Sequence, residues 1–370
     1  MLILLNILKY LIITIVLLSV AIFAFIKLAP TFGGSPDAQS QAKIAASPNF
    51  DGNIFVNQVP TELSTPSDQS MLDSLLSLLA PPAGKNPNEP LPAITLKGVE
   101  FNNGDFAWLG HSTVIFRLDD KVVLTDPVFH NASPIAFTAR PFATTATTTI
   151  EDLPPIDLVL ISHDHYDHLD HRAIDKLAGK VEKFAVPLGI KGHLQRWGIK
   201  DTQIIELDWQ ERVNIGELEI VSTPSRHFSG RGLTNRNSTL WSSWVVKSAS
   251  TSVFFSGDSG YFDGFAKIGE QEGPFDIAFM ENGAYNEAWA EIHMMPEQSV
   301  QAAIDLKAKR YFPIHWSKFD LALHPWYEPA LRAQAEAKRR NVTMVTPLMG
   351  EVFQLDAPPK GDWWAPYLPK

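Results

Sequence analysis

The chain has 370 residues, no cysteine, a formal net charge of -10 and 45% hydrophobic residues. Disulfides and thiolate metal ligands are excluded, and the acidic balance speaks against nucleic acid as a partner. Length and apolar content suffice for one large domain or two small ones with a sizeable core.

Residues 1–29 come first. Leu11 to Ile26 is an apolar run interrupted only by Thr14 and Ser19, with Lys9 and Lys27 at its two ends. At about 1.5 Å per residue the lysine-to-lysine span is about 27 Å, close to a bilayer core. A cleaved signal peptide would share the apolar run. No A-x-A site follows, however, and Lys27 stands where a cleavage region is small and neutral. The segment reads as an uncleaved single-pass anchor in a bilayer. The amino terminus and Lys9 favour the N-terminus inside, which puts the remaining chain outside the cytoplasm, as at a bacterial inner membrane.

Residues 30–93 read as a connecting arm. Pro30 and Gly33-Gly34-Ser35-Pro36 break structure. Ser67 to Leu79 has the spacing of a short helix, with Met71, Leu72, Leu75, Leu76 and Leu79 on one side. That side would pack on the domain, a membrane surface being the alternative. Pro81 to Pro92 is a Pro-rich linker.

Residues 94–370 form the compact domain. Phe106 to Phe116 predicts strand, turn, strand, and Val122 to Leu124 another strand delivering Asp126. His111, in the turn, reads as a hydrogen-bonded interior histidine. Ile156 to Ile161 is a short apolar run that reads as a buried strand. Just past it stands Ser162-His163-Asp164-His165-Tyr166-Asp167-His168. Four candidate metal ligands, His163, His165, Asp167 and His168, fall within six positions. Imidazole and carboxylate suit zinc or another first-row divalent ion. Alternating side chains point one way while Asp167 and His168 diverge, which suits two ions better than one.

A helix is predicted over 170–177, and strands over 183–186, 204–207, 217–221, 241–246 and 251–255. The third of these strands leads to His227. The last leads to Asp258, set between small residues where it could bridge two cations. A strand over 275–280 ends at Glu281-Asn282-Gly283. A helix over 296–307 starts at Pro296. The strand 311–314 delivers His315, a helix spans 326–340, and a last strand covers 342–345. Trp363-Trp364 is apolar and expected to pack on the domain. Arg231 and Arg236 could meet a phosphate, but loop arginines are usually solvated, and neither joins the candidate set.

The run His163-x-His165-x-Asp167-His168 resembles the signature of the metallo-β-lactamase superfamily. A closer similarity is to the N-acyl-phosphatidylethanolamine phospholipase D family. It rests on Trp108-x-Gly110-His111-Ser112-Thr113, Thr125-Asp126-Pro127, the His163 cluster through Asp170, Gly257-Asp258-Ser259-Gly260-Tyr261, His293-Met294-x-Pro296-Glu297 and Pro313-Ile314-His315-Trp316. The likeness covers residues 95 to 355 and leaves the anchor and arm unmatched. It implies an α/β fold, an αββα sandwich, over residues 94–370. It also implies one zinc on His163, His165 and His227, and another on Asp167, His168 and His315, with Asp258 shared. Manganese or iron(II) would suit the same donors. Asp126 would support the ligands, and His293 would be a substrate-side histidine.

The implied activity is hydrolysis of a phospholipid phosphodiester in the membrane, by a hydroxide bridging the two ions, with Asp167, Asp258 and His293 as the catalytic set. The missing cysteine argues against β-lactamases that need one at the second metal. The loop 228–237 departs from the mammalian pattern, which leaves the headgroup open. A lactonase similar to the ascorbate-phosphate lactonases is the alternative, although those are soluble. An inactive scaffold conflicts with intact ligands, and a tRNA-processing nuclease with the acidic balance. A homodimer is compatible with the sequence.

Overall fold

The computed structural model describes residues 2–63, 83–135 and 137–368. The expected helix over Ser67 to Leu79 lies outside them. The apolar amino-terminal segment is one helix, α1 (Leu2–Leu28), of 27 residues. The arm is not a bare connection. Asp37 caps α2 (Ala38–Ala46), its side chain accepting from the Ser40 amide. Ser40 Oγ donates to Glu206 Oε1 at 2.6 Å and Lys43 Nζ to the Glu206 carbonyl at 3.1 Å, so α2 lies against the domain.

Two sheets follow. The first has seven strands in the order β13-β1-β2-β3-β4-β5-β6, and the second six in the order β12-β11-β10-β9-β8-β7. The first holds β1 (Phe106–Trp108), β2 (Val114–Leu118), β3 (Lys121–Thr125), β4 (Ile156–Leu160), β5 (Val181–Pro187), β6 (Ile204–Leu207) and β13 (Val352–Phe353). The second holds β7 (Arg212–Ile215), β8 (Leu218–Thr223), β9 (Ser243–Lys247), β10 (Ser252–Phe255), β11 (Ile277–Glu281) and β12 (Tyr311–Ile314). Alternate residues of these strands face each other across the middle layer. Phe106, Phe116, Leu158 and Leu160 meet Trp244, Phe255, Phe279 and Phe312 there. The other faces are covered by helices, as in-and-out alternation in a two-sheet core requires. α3 (His171–Leu177) and α4 (Lys191–Arg196) cover the first sheet. α5 (Gly264–Gln271), α6 (Pro296–Asp305) and α7 (Glu328–Arg340) cover the second. This is the αββα sandwich.

The boundaries depart from expectation where local pattern was weak. Residues 342–345 make a single parallel bridge, Tyr311↔Met344, beside β12 and no strand. The edge strands β7 and β13 have too few residues to show a period. Trp364 is fully buried, and Trp363 stacks on Trp316 with ring centroids 5.4 Å apart.

What places the site is strand direction. β3 to β6 run parallel to one another, as do β10 to β12. β8 pairs antiparallel to β9, and β9 to β10, so β8 points the same way as β10. The carboxyl ends of β3, β4, β8, β10, β11 and β12 therefore open along one edge of the sandwich, where ligands bind in open α/β sheets. The β1–β2 turn with His111 lies at the same edge.

Phe279 lies at the centre of the middle layer, fully buried, with its ring 4.8 Å from Phe312. Phe279→Ala is expected to cost about 3–5 kcal/mol through lost burial and a residual cavity. Denaturant unfolding of the purified chain measures it. A loss below about 1 kcal/mol would mean that the two sheets are not joined through this layer.

Candidate metal centre

Each candidate ligand leaves a strand end. β4 delivers His163, His165, Asp167 and His168. His227 follows β8, Asp258 follows β10 and His315 follows β12. The structure brings all of them together in two adjoining groups. One is His163, His165, His227 and Asp258, and the other is His111, Asp167, His168 and His315. Donor atoms within each group lie within 4.8 Å of one another. Asp164 points elsewhere. Its Oδ1 accepts from the Gly230 amide at 2.7 Å, and its Oδ2 lies 3.4 Å from His193 Nε2. The alternation expected of the loop is therefore real.

Hydrogen bonds behind the rings aim the nitrogens inward. Ser162 donates its amide to Asp126 Oδ1 at 2.7 Å and its hydroxyl to Asp126 Oδ2 at 2.6 Å. With that proton committed, Ser162 Oγ accepts from His163 Nδ1 at 2.9 Å. His168 Nδ1 donates to Asp126 Oδ2 at 2.7 Å, and His227 Nδ1 to the Ile292 carbonyl at 2.9 Å. In the His163 and His227 rings Nε2 is left with a lone pair facing the cluster, while the His168 ring is aimed the same way. His163 Nε2 lies 2.9 Å from His165 Nδ1, which lies 3.3 Å from His227 Nε2. These three ring nitrogens lie close enough to share one ion.

Asp258 stands between the groups. Its Oδ2 is 3.1 Å from His315 Nε2 and 3.8 Å from both His163 Nε2 and His227 Nε2. Its Oδ1 is 3.1 Å from His168 Nε2, yet neither of these buried atoms has a hydrogen-bond partner. Orphaned donor atoms in a dry site are costly. The all-nitrogen and oxygen donor set fits two divalent first-row ions.

The electrostatics divide the cluster. Burial, reinforced by neighbouring rings, holds His163 well below the usual imidazole range. Burial does the same to His227, although Asp258 opposes it. Both rings are thus neutral and ready to bind metal. Burial also works against charge on His168 and His315. There Asp258 and Asp167 outweigh it, lifting His168 well above its ordinary value and His315 to about 10. Without a cation, protons occupy the second group.

Two residues near the centre carry more than the sequence assigned them. His111 is buried, as expected, and its Nε2 lies 3.0 Å from Asp167 Oδ2, so it holds that candidate ligand in place. Glu281, at the end of β11, was not singled out. It is fully buried, accepts from the Ser259 amide at 2.9 Å, and pairs with His293 Nδ1. Asp258, Glu281, His293 and His315 make a third convergent group. The available signal was an acidic residue at a strand's carboxyl end, the position shared by the other ligands. Arg231 is neither solvated nor free for a phosphate. It is buried, and its guanidinium donates to the carbonyls of Asp164, Leu169 and Thr31.

Backbone strain concentrates at the same edge. His111, Asp126 and His315 have φ of 54°, 33° and 68°. Such left-handed backbone in non-glycine residues persists only where surroundings impose it. Gly257 has φ +56°, and a Cβ there would lie 2.5 Å from Ser162 Cβ. Only glycine lets the end of β10 approach the end of β4 this closely.

Two outcomes follow for the metal-free and metal-loaded protein. Asp126→Asn removes the carboxylate that orients His168 and, through Ser162, His163. Metal affinity should fall by about 10–100-fold, measured by competition with a chelator, and unchanged affinity would remove Asp126 from this role. Metal added to chelated protein must displace the protons on His168 and His315. Uptake should therefore release protons and weaken as pH falls. Calorimetry in buffers of different ionisation enthalpy checks this, a buffer-independent heat being the contrary result.

A family model described as the β-lactamase superfamily domain matches residues 121–316. An uncharacterized protein of Mycobacterium tuberculosis is 38% identical over 346 residues, covering 90% of this chain and 92% of that protein. N-acyl-phosphatidylethanolamine-hydrolyzing phospholipase D 1 of Caenorhabditis elegans is 34% identical over 323 residues, covering 82% of this chain and 87% of that protein. Among solved structures, the metallo hydrolase Igni18 from the archaeon Ignicoccus hospitalis shares the fold. Its TM-score is 0.51 at 23% identity, covering 67% of this chain and 97% of that one. Strand order, converging donors and these likenesses agree: the chain belongs to the metallo-β-lactamase superfamily of hydrolases and resembles its N-acyl-phosphatidylethanolamine phospholipases D.

Proposed function

We propose that the protein is a binuclear, metal-dependent phosphodiesterase of phospholipase D type, acting on N-acyl-phosphatidylethanolamine-like lipids in the membrane that holds α1. The observation carrying this reading is the single edge at which the two donor groups meet around Asp258, with His293 set beside them by Glu281. The relative of Caenorhabditis elegans supports the choice of substrate class. His163, His165 and His227 would hold one ion, Asp167, His168 and His315 the other, and Asp258 would be shared. Zinc is the first choice, and manganese or iron(II) fit the same donors.

When bound, the ions supply Lewis-acid activation of water and offset charge growing on the phosphoryl oxygens. The chain's own groups do the remaining work. Water adds to phosphorus, the bond from phosphorus to the headgroup oxygen breaks, and phosphatidate and the alcohol leave. Asp167 lies on the open side, 16% exposed, and its ionised carboxylate orients the incoming water. The Glu281 contact at Nδ1 leaves His293 Nε2 to face the substrate, where it donates the proton that the departing alkoxide needs. His111 keeps Asp167 from turning away.

The deciding experiment is a hydrolysis screen of the full chain, loaded with zinc or manganese, against N-acyl-phosphatidylethanolamine, bis-p-nitrophenyl phosphate and a lactone panel. Turnover of the two phosphodiesters is expected, while turnover of lactones alone would give the reading to a lactonase. Asp258→Ala should lose metal content and turnover together. His293→Ala should retain its metals and lower kcat by about 10²–10⁴-fold. Metal analysis beside the kinetics separates the two, and loss of metal in His293→Ala would make that residue a ligand.

A further inference from the structure

The carboxyl end of α1 is fastened to the domain. Arg196 Nη2 donates to the carbonyls of Lys27 at 3.3 Å and Leu28 at 3.1 Å, and Trp197 Nε1 to that of Pro30 at 2.7 Å. Arg231 donates twice to the Thr31 carbonyl, at 3.0 and 2.8 Å, while its remaining nitrogen holds the carbonyls of Asp164 and Leu169 in the metal-binding loop. The Gly34 amide donates to His193 Nδ1 at 3.0 Å, and a Cβ on Gly34 would lie 2.4 Å from the Gly192 carbonyl. A helix held this way sets the domain's orientation. The most apolar stretch of the 26-residue span Ile3–Leu28 has no residue buried in the protein. If it crosses a bilayer, the surface around Thr31 must lie at that bilayer's headgroup layer.

That surface presents apolar side chains to water. Thr31, His130, Asn131, Tyr166, Arg172 and Arg231 line a cavity of about 100 Å³. Two loops leave its rim. One carries Ile135, 42% exposed, and Phe137, 72% exposed, and is tied to the cavity by Asn131 Nδ2 donating to the Thr138 carbonyl at 2.9 Å. The other carries Leu233, 83% exposed and two residues beyond Arg231. Among the described residues outside α1, Phe137 and Leu233 are the most exposed large hydrophobic side chains. Exposed Arg172 and Arg236 flank them, in a chain whose net charge is -10.

We propose that Ile135, Phe137 and Leu233 enter the interfacial layer of the bilayer crossed by α1, with Arg172 and Arg236 at the lipid phosphates. They form a second membrane contact beside the metal-binding loop. This rests on the reading of α1 as a membrane anchor. A bilayer fits better than a second protein because the fastened helix end brings lipid to these loops. Apolar tips beside basic side chains also match the boundary between acyl chains and anionic headgroups.

The absence of native cysteine gives a clean test. Full chains carrying Phe137→Cys, Leu233→Cys or Ser250→Cys are labelled with the environment-sensitive dye NBD. They are then placed in nanodiscs of phosphatidylcholine and phosphatidylglycerol. Ser250 is exposed in the turn before β10, at the end of the sheet away from Asp258, and serves as the control. Labels at 137 and 233 are expected to shift to the blue, to be quenched by doxyl-labelled lipid and to be shielded from aqueous iodide. The label at 250 should show the reverse. Iodide quenching at 137 and 233 equal to that at 250 would overturn the proposal while leaving the anchor intact. So would shielding from both quenchers, which would mean a protein partner or second copy. A chain that fails to enter the discs would overturn the anchor and this contact together. None of these readouts depends on hydrolysis, so the proposed activity stands or falls separately.

Discussion

The rest of this structure depends on one electrostatic constraint: imidazole rings and carboxylates are forced together in a buried edge between two sheets. His163 Nε2, His165 Nδ1 and His227 Nε2 are aimed at a common point, and Asp258 lies between them and the His168 and His315 rings. No chain would hold such groups together for stability alone, because buried polar atoms without partners cost free energy. The surrounding sandwich supplies the rigidity that keeps them there. Its middle layer of aromatic and branched side chains fixes the relative height of the two sheets. That height in turn sets the approach of the β4 end to the β10 end.

The support is built inward from the backbone. Asp126 sits at a strained strand end and spends both carboxylate oxygens on Ser162 and His168. His227 is oriented from the other sheet by the Ile292 carbonyl, and His293 by Glu281. The inward-facing nitrogens of His163, His168 and His227 are thus selected by a bond made on the outer side of each ring. The two metal-binding groups also differ in charge before any ion arrives. One is kept neutral by burial and mutual repulsion of its rings, and the other holds protons against burial because two carboxylates face it. Ion loading is therefore expected to be unequal between them.

The amino-terminal segments belong to this construction. Asn57, well before the strands begin, receives the His227 amide on its side-chain oxygen and donates to the His227 carbonyl. Arg231 joins the Thr31 carbonyl to the Asp164 carbonyl. The connection between α1 and the His163 loop is thus a series of short hydrogen bonds, and the orientation of the ligand edge follows from the orientation of α1.

Much of this was legible in the residues themselves. Short apolar or aromatic runs announced β4, β8, β10 and β12, and a candidate ligand stands just past the carboxyl end of each. The His163 cluster stood out by its own spacing, as did the apolar segment, while His227, Asp258 and His315 gained their roles as candidates through the family resemblance. Other features depend on contacts between residues far apart in sequence. The short edge strands β7 and β13 take their form from a neighbour rather than from their own period. α2 looks like a polar arm until Glu206 and Asp208 are placed beside it. Glu281 is one acidic residue among many until β11 lies between β10 and β12 and turns it toward His293. Sequence alone determined which groups can bind metal and which segments are apolar, since both are properties of side chains and short spacing. The tertiary structure alone decided which nitrogens face inward, which carboxylate stands between the two groups, and where α1 meets the His163 loop, because those are distances across the fold.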